Sequence, residues 1–514
     1  MILALLAPRP LLPGPDGKVP AGPPPLTWGI LLGLSGTVLA AFASYLATRL
    51  TSFALADLTG GFGVGADEAA WVANAYNVAE IAVVPLAPWL ASIVSPRRAI
   101  AFSIALLTVA SAACPGAGDY RGLIALRFLQ GLGGGALIPL LLGTVLRFTP
   151  LHQRVVGFAF YALVTTATPL LSETLSGIVT ETLGWQPVYY LNLLISPLAL
   201  VLVLVGLPVE PLKPEGLPGA DYLGMLLLAV CASTLTTAVD LGQRLDWFDS
   251  SLIIALFVAS ALLLAAFVVW ELSIEKPLIQ LNLLRRRNLA CGLLLIIPFS
   301  FSLLVTSNVV AQYGIQVRGY RQLQVGEILL WAALFQVAMC ASTPFLMRRI
   351  DTRVVLGCGL ALVALGCRLA TFIDSDWTVP DLLPSSILVA CGQPLIMVGL
   401  LLTATSTLQP QDALAGSTLF NVIRTLAGSV GGAIVGAVLT VRERVHSTTL
   451  ADHLVRGAEI TLRGGSPATL AAHLRTQSTV MATADAYGML GTIATVGLLI
   501  SLAIAEIRLA RRPA

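Results

Sequence analysis

Long runs of apolar residues separated by short polar stretches dominate the pattern along this chain. We count 14 runs of about 20 residues, each long enough to cross ~30 Å of hydrocarbon as an α-helix. The predicted spans are 28–55, 69–92, 99–116, 121–147, 155–180, 187–208, 222–241, 251–271, 289–313, 325–347, 354–373, 383–407, 415–440 and 484–507. The polar stretches between them are too short to bury a core of their own. The pattern therefore predicts an all-α polytopic membrane protein.

The spans group as six, two and six, and a basic loop takes the same place in each group of six. The loop after the second span reads PWLASIVSPRR, and the loop after the tenth reads PFLMRRIDTR. Duplicated halves that meet at a central cavity are a recurring plan of transporters. We predict a disordered cytoplasmic tail (1–27), an N-terminal six-helix half (28–208), two inserted helices with cytoplasmic linkers (209–288), a C-terminal six-helix half (289–507) with a long periplasmic loop (441–483), and a cytoplasmic tail (508–514).

Composition and charge agree with this class. Hydrophobic residues make up 56% of the chain and charged residues 11%, with a mean hydropathy of +0.87, which excludes an ordinary soluble domain. The net charge of +3 gives no reason to expect a nucleic-acid partner. Most Lys and Arg residues fall in alternate short loops and tails, and the positive-inside rule then places both termini in the cytoplasm. Neither the seven cysteines nor any His/Asp/Glu spacing indicates a metal site, and no cofactor is predicted.

Several motifs resemble the major facilitator superfamily, in particular its 14-helix drug:proton antiporter branch of the EmrB and QacA type. LRFLQGLGGGALIPL resembles that branch's R-x-x-Q-G motif, and GWQPVYYLNLLISPL its entry to the sixth helix. DEAAWVANAYNVA is similar to the start of its second helix, and TLFNVIRTLAGSVGGAI to its thirteenth. The resemblance implies a major facilitator fold in a bacterial cytoplasmic (inner) membrane, with a small-molecule substrate exchanged for protons.

The chain departs from the branch at charged positions. Ala47 takes the place of an acidic residue in the first helix, and Arg49 is added nearby. In the fifth helix, Ser172 and Glu173 replace a Gly-Pro pair. Because the acid that would attract a cation is missing, these changes favour an anionic or zwitterionic substrate.

Charges inside apolar spans cost about 2.5–3.5 kcal/mol each on insertion scales and usually mark pathways or proton relays. Arg49, Arg127 and Glu173 fall at a similar depth, with Glu80 one to two turns deeper, in four spans that border the cavity in the family fold. We predict one paired cluster for proton coupling or substrate binding. In this cluster Glu80 and Glu173 are the proton carriers, and Arg127 competes with the proton for their carboxylates. Arg49 either pairs with a carboxylate as well or binds a substrate anion. The alternative is a set of static salt bridges.

Further residues are weaker candidates. Arg424 is either a gating residue or a structural contact near the inner end of its helix. Arg368 is interpreted as a snorkelling side chain, whose charged group reaches toward water from the outer end of its helix. Amide side chains could line the cavity or simply hydrogen-bond between helices. These cavity candidates are Asn74, Asn77, Gln130, Asn308, Gln312 and Gln393.

The predicted loop 441–483 contains two amphipathic helical patterns. Similar loops in the family suggest a periplasmic adaptor and an outer-membrane channel as partners. The sequence thus predicts a proton-coupled secondary transporter, not an enzyme, that exports a small amphiphile such as a natural product or siderophore. The alternatives are a broad multidrug:proton antiporter and, more distantly, a membrane sensor or membrane-embedded enzyme.

Overall fold

Helices form most of the backbone in the computed structural model, which describes residues 27–150, 153–183, 186–213, 220–274, 277–279, 284–406, 413–456 and 467–504. Thirteen helical segments are long and apolar enough to cross a membrane, and one bent pair of helices raises the number to 14. The predicted fold class is therefore confirmed. The predicted tails lie outside the described residues, apart from Thr27.

Sixteen α-helices are described. In chain order they are α1 (Trp28–Phe62), α2 (Ala66–Val83), α3 (Leu86–Val94), α4 (Pro96–Ala113), α5 (Tyr120–Phe148), α6 (Arg154–Leu183), α7 (Gln186–Gly206), α8 (Tyr222–Gly242), α9 (Ser251–Ser273), α10 (Arg287–Leu304), α11 (Val310–Gln316), α12 (Gln322–Arg349), α13 (Thr352–Ala370), α14 (Val379–Thr405), α15 (Ala413–Arg456) and α16 (Pro467–Ser501). We call the side of the membrane on which α1 begins the inner side.

Two sets of helices pack mainly among themselves. In the N-terminal half, α1 packs on α7, and α5 packs on α2 and α4. In the C-terminal half, α13 packs on α14 and α16, and α15 packs on α16 and α10. The halves meet where α6 contacts α12 and α14, and where α5 contacts α15.

The inserted helices lie beside the seam between the halves. α8 packs on α9, on α2 of the N-terminal half and on α15 of the C-terminal half. α9 is the most apolar span, with a mean hydropathy of 3.0, and it exposes leucine and valine side chains such as Leu262 and Val269. α8 therefore touches both halves, while α9 faces lipid.

The second predicted span is a pair of helices rather than one. The axes of α2 and α3 differ by 54° across a short break at Val84 and Pro85. Proline has no backbone N–H and its ring clashes with the preceding turn, which explains the bend. The ninth span is also irregular, because a π-helical turn at Val305–Val309 separates α10 from α11.

The predicted periplasmic loop 441–483 is largely helical where it is described. α15 continues to Arg456 and α16 begins at Pro467, so both helices run well past the predicted span ends at 440 and 484. At 1.5 Å per residue the 44 residues of α15 reach about 66 Å, roughly twice the hydrocarbon thickness. The two extensions contact each other, since Ser478 donates a hydrogen bond to Glu443 (3.3 Å).

Glycines let α5 approach its neighbours closely. A β-carbon added at Gly135 would lie 2.5 Å from the Cα atom of Glu80 on α2, and one at Gly131 would collide with the carbonyl oxygen of Tyr76. Gly133 contacts the backbone of α4 in the same way. The glycine run therefore sets the position of α2, and with it the position of Glu80.

Replacing Gly135 by alanine is expected to destabilise the protein by about 1–3 kcal/mol, because the added methyl group meets backbone atoms that cannot move aside. Gly143 on the same helix is the matched control, since an added β-carbon there has no heavy atom within 4 Å. Gly143→Ala should be neutral or gain up to about 1 kcal/mol from helix propensity. Thermal unfolding of the purified proteins in detergent measures both, and equal midpoints for the two variants would contradict the packing argument.

Candidate functional site

Arg127 lies at the centre of the N-terminal half and its side chain has no exposed surface. Nη1 donates to the carbonyl oxygen of Ala47 (2.8 Å) and to Oε1 of Gln130 (2.7 Å), and Nε donates to the carbonyl oxygen of Val72 (3.2 Å). These bonds go to carbonyl and amide oxygens rather than to a carboxylate. Within the described residues Nη2 has no hydrogen-bond partner. The buried guanidinium thus joins α5 to α1 and α2 while one of its donors stays available.

Tyr76 lies between Arg127 and Glu80. The Arg127 guanidinium carbon is 4.7 Å from the centre of the Tyr76 ring, which is a cation–π distance. The Tyr76 hydroxyl is 2.7 Å from Oγ of Ser44 and also hydrogen-bonds the side chain of Thr48. Both Glu80 and Arg127 interact electrostatically with this hydroxyl. Tyr76 therefore links the two predicted charges, because both act on its hydroxyl.

A second group of residues crosses the interface between the halves; we call Tyr45, Glu80, Tyr161, Asn421 and Arg424 the interface cluster. The Arg424 side chain hydrogen-bonds Tyr45 and interacts electrostatically with Tyr161 and Glu80. The Tyr161 hydroxyl donates to Oδ1 of Asn421 (2.7 Å). Tyr45, Glu80 and Tyr161 belong to the N-terminal half, whereas Asn421 and Arg424 belong to the C-terminal half.

The interface cluster lies on the inner part of the interface, and its residues are buried except for Tyr45 and Glu80, which are partly buried. Tyr161 and Asn421 have no exposed surface, and Arg424 is 9% exposed. Tyr161 is seven residues from the inner end of α6, about 10 Å along the helix. Within the described residues Nε of Arg424 is buried without a hydrogen-bond partner. The halves are therefore held together here by charge and hydroxyl contacts.

Beyond the interface cluster the same face of α15 borders open space. Gly428 and Gly436 follow Asn421 at spacings that keep them on one helix face. A β-carbon added at either glycine would have no heavy atom within 4 Å. Protein atoms of the described residues therefore leave this face of α15 uncovered, while α6 and α12 of the two halves stay in contact toward the other side through Thr174 and Gly326.

Two of the four predicted charges, Arg127 and Glu80, come together at Tyr76. Arg127 and Glu80 both approach Tyr76, but Glu80 also faces Arg424 of the other half. Glu173 is 6% exposed on α6, next to Thr174, which donates to the carbonyl oxygen of Gly326 on α12 (3.0 Å). The side chain of Arg49 lies outside the described residues. The roles of Arg49 and Glu173 stay predictions.

The common depth predicted for these charges is also less uniform than expected. α1 runs to Phe62, so Arg49 is 13 residues from its outer end, whereas Arg127 is seven residues from the start of α5. At 1.5 Å per residue these depths are about 20 Å and 10 Å. The helix ends extend past the apolar runs, and hydropathy does not detect that extension.

The amide candidates separate into two groups. Gln130 and Gln393 are fully buried and bonded to protein, so neither lines open space in this conformation. Gln130 donates to Oγ of Ser111 (2.8 Å), and Gln393 donates to the carbonyl oxygen of Ser302 (2.8 Å) and accepts from Gln336. Asn308 and Gln312, by contrast, are exposed on and after the π-helical turn. Such turns often occur at functional sites.

The two asparagines of α2 have different surroundings. Asn74 is buried, and within the described residues its Nδ2 has no partner. Asn77 donates to Oδ2 of Asp240 on the inserted helix α8 (3.1 Å). Asp240 is a partly buried acid inside an apolar span that the sequence analysis passed over, because it lies at the end of the predicted span 222–241.

Comparison with known proteins agrees with this architecture. The sequence profile of the Major Facilitator Superfamily matches residues 37–432, which run from α1 into the first half of α15. The chain belongs to this superfamily. The R-x-x-Q-G motif of this major facilitator forms the buried centre described above. Its residues are Arg127, Gln130 and Gly131.

Two curated relatives are similar in sequence to this major facilitator over most of its length. The multidrug export protein EmrB of Haemophilus influenzae is 28% identical over 444 residues, covering 84% of this chain and 85% of that protein. The fatty acid resistance protein FarB of Neisseria gonorrhoeae is 25% identical, with coverage of 84% and 85%. The resemblance to the EmrB-type branch is thus confirmed.

The solved structures support the fold alone. The proton:xylose symporter XylE aligns with a TM-score of 0.58 at 13% identity, covering 93% of this chain and 96% of that chain. The human organic anion transporter MFSD10 (TETRAN) aligns with a TM-score of 0.58 at 12% identity, covering 93% of this chain and 100% of that one.

Proposed function

We propose that this major facilitator is a proton-coupled secondary transporter that exports small amphiphiles by alternating access. The observation that carries the proposal is the hydrogen bond of Arg424, from the C-terminal half, to Tyr45 of the N-terminal half, together with its electrostatic interaction with Glu80 of the same half. A carboxylate that attracts an arginine across the interface holds the inner side closed. The same carboxyl group, once protonated, loses that attraction.

A transport cycle follows from this contact. With the inner side closed, Glu80 takes up a proton from the other side of the membrane. Protonation weakens the attraction to Arg424, and the halves separate at their inner ends. The proton then leaves to the inner side, substrate binds, and the renewed attraction closes the inner side again. Tyr76 is placed to relay the protonation state of Glu80 to Arg127, because both groups interact with its hydroxyl.

The substrate class that we propose is an anionic or zwitterionic amphiphile, such as a natural product or siderophore. Arg127 donates a hydrogen bond to the carbonyl oxygen of Ala47, so the backbone of position 47 lies beside this buried cation. An acidic side chain at that position would therefore be attached next to it. Because position 47 holds alanine, no carboxylate at that position offsets the positive charge that Arg127 gives the N-terminal half. The name of the fatty acid resistance protein supports an anionic amphiphile, while that of the multidrug export protein supports the alternative, a broad multidrug antiporter.

We also propose that the inner side is the cytoplasmic side of a bacterial inner membrane, with both termini in the cytoplasm. The projecting extensions of α15 and α16 would then lie in the periplasm and form the surface for an adaptor protein. Deleting residues 445–480 should abolish co-purification of such an adaptor. Unchanged recovery would exclude this surface.

Proton coupling is tested by uptake into proteoliposomes with an acidic lumen. The probes are a fluorescent alkyl sulfonate and a quaternary ammonium dye, whose charges do not change with pH. We expect the pH gradient to drive uptake of the sulfonate, and we expect Glu173→Gln to reduce that uptake severalfold if Glu173 carries protons. Uptake of both probes would favour the multidrug alternative. Uptake that persists when nigericin collapses the gradient would rule out proton coupling.

A further inference from the structure

A pocket of about 890 Å³ opens between α13, α15 and α16. Its volume is within the range of about 300–1,000 Å³ that is typical of small-molecule sites. α13 and α16 make their main contacts with other helices of the C-terminal half. Along α15 the pocket residue Val438 is 14 residues from Arg424, about 21 Å. The pocket is therefore separate from the interface cluster.

The polar lining carries a net positive charge. Arg368, Arg442 and Asp485 line the pocket. Nε of Arg442 and Nε2 of His446 both lie 2.7 Å from Oδ2 of Asp485, so this carboxylate is already occupied. Within the described residues the exposed side chain of Arg368 makes no hydrogen bond or ion pair, and the guanidinium of Arg442 is engaged through Nε alone. Two guanidinium groups are thus available to an anion, with a single carboxylate to offset them.

The rest of the pocket and its surroundings are apolar. Ala437, Val438, Val441 and Met489 line it beside the charged residues. Exposed hydrophobic side chains adjoin the lining residues along the chain, namely Leu369 (40%) after Arg368 and Phe372 (69%) after Thr371, and the lining residue Val441 is itself 55% exposed. A pocket for a water-soluble ligand has a polar entrance, whereas an apolar entrance on a membrane-spanning helix opens to lipid.

We propose that this pocket binds an anionic phospholipid of the bilayer, with the phosphate at Arg368 and Arg442 and an acyl chain along α15 and α16. Basic pockets between membrane helices are a known type of headgroup site, and arginine is well suited to phosphate oxygens. Because α15 also carries Arg424, an occupied pocket stabilises the helix that takes part in the inner closure. The binding site itself does not depend on the proposed transport cycle.

Native mass spectrometry of the delipidated full-length protein tests the site with phosphatidylglycerol and phosphatidylcholine of identical acyl chains. We expect phosphatidylglycerol to bind about tenfold more tightly, because only that headgroup keeps a net negative charge. Arg368→Gln should remove that preference. Arg444→Gln is the matched control, since Arg444 is exposed on α15 two residues from Arg442 and does not line the pocket.

Several outcomes would overturn the proposal. Equal binding of the two lipids, or an undiminished preference in Arg368→Gln, would show that the pocket does not select an anionic headgroup. Loss of the preference in both arginine variants would indicate a general effect of surface charge. Displacement of phosphatidylglycerol by millimolar glycerol 3-phosphate would identify a soluble anion as the ligand. Normal unfolding temperatures of both variants would confirm that they are folded.

Discussion

Replacing Glu80 by glutamine is expected to leave the inner side open at every pH and to reduce gradient-driven uptake to less than about a tenth of wild type. Glutamine imitates the protonated carboxyl group, so the attraction to Arg424 is permanently lost. The readout is the distance between spin labels at Arg98 and Arg349, exposed positions at the inner ends of the two halves, in a background without native cysteines. In the wild type this distance should lengthen on acidification.

The control for this experiment is Glu68→Gln. Glu68 is an exposed acid at the opposite end of α2, where its carboxylate accepts a hydrogen bond from the backbone N–H of Gly65 (3.0 Å). Glutamine keeps that acceptor, so the pH response of the label distance should survive. Arg424→Gln should behave like Glu80→Gln, since it removes the other partner. A normal pH response in Glu80→Gln would show that another group couples the proton to the conformational change.

Replacing Arg127 by alanine is expected to cost about 3–5 kcal/mol of stability, as breaking a buried polar arrangement usually does. The substitution leaves the carbonyl oxygens of Ala47 and Val72 and the amide of Gln130 without their donor. Arg127→Lys should recover part of the loss, because an ammonium keeps the charge but cannot reach three acceptors in the same geometry. Thermal unfolding in detergent measures the effect.

Arg147→Gln provides the comparison for Arg127. Arg147 lies at the inner end of the same helix, and its pair with Glu210 (2.5 Å) is partly exposed to solvent, at 35% and 19%. Pairs of that kind contribute about 0–1 kcal/mol. Should Arg127→Ala lose no more stability than Arg147→Gln, the hydrogen bonds of Arg127 would not be structural, and its position would have to be explained by transport alone.

The membrane spans could be predicted from the sequence because hydropathy reports directly on burial in lipid. The ends of α15 and α16 could not, since their extensions are amphipathic helices that continue without a proline or glycine to stop them. The break before α3 was also missed, although Pro85 marks it. A proline inside an apolar run indicates a kink only when the surrounding packing accommodates one.

Individual charges were easier to find than their partners. Glu80 and Arg424 stand out as charges in apolar runs, yet 344 residues separate them in the chain, and only the packing of the two halves brings them together. Tyr45, Tyr76 and Tyr161 carry no such signal, because tyrosine is unremarkable in a membrane helix. Asp240 could have been found as an acid at the edge of an apolar run.

The break at Pro85 has a consequence for how much of the protein must move. The outer part of this span is fixed against α5 by Gly131 and Gly135, and Glu80 lies one turn before the break. The nine residues of α3, which also touch α15, follow Pro85, whose nitrogen cannot donate a backbone hydrogen bond to the preceding turn. Pro85 therefore places a bend between Glu80, which belongs to the fixed part, and α3, which contacts the helix that carries Arg424.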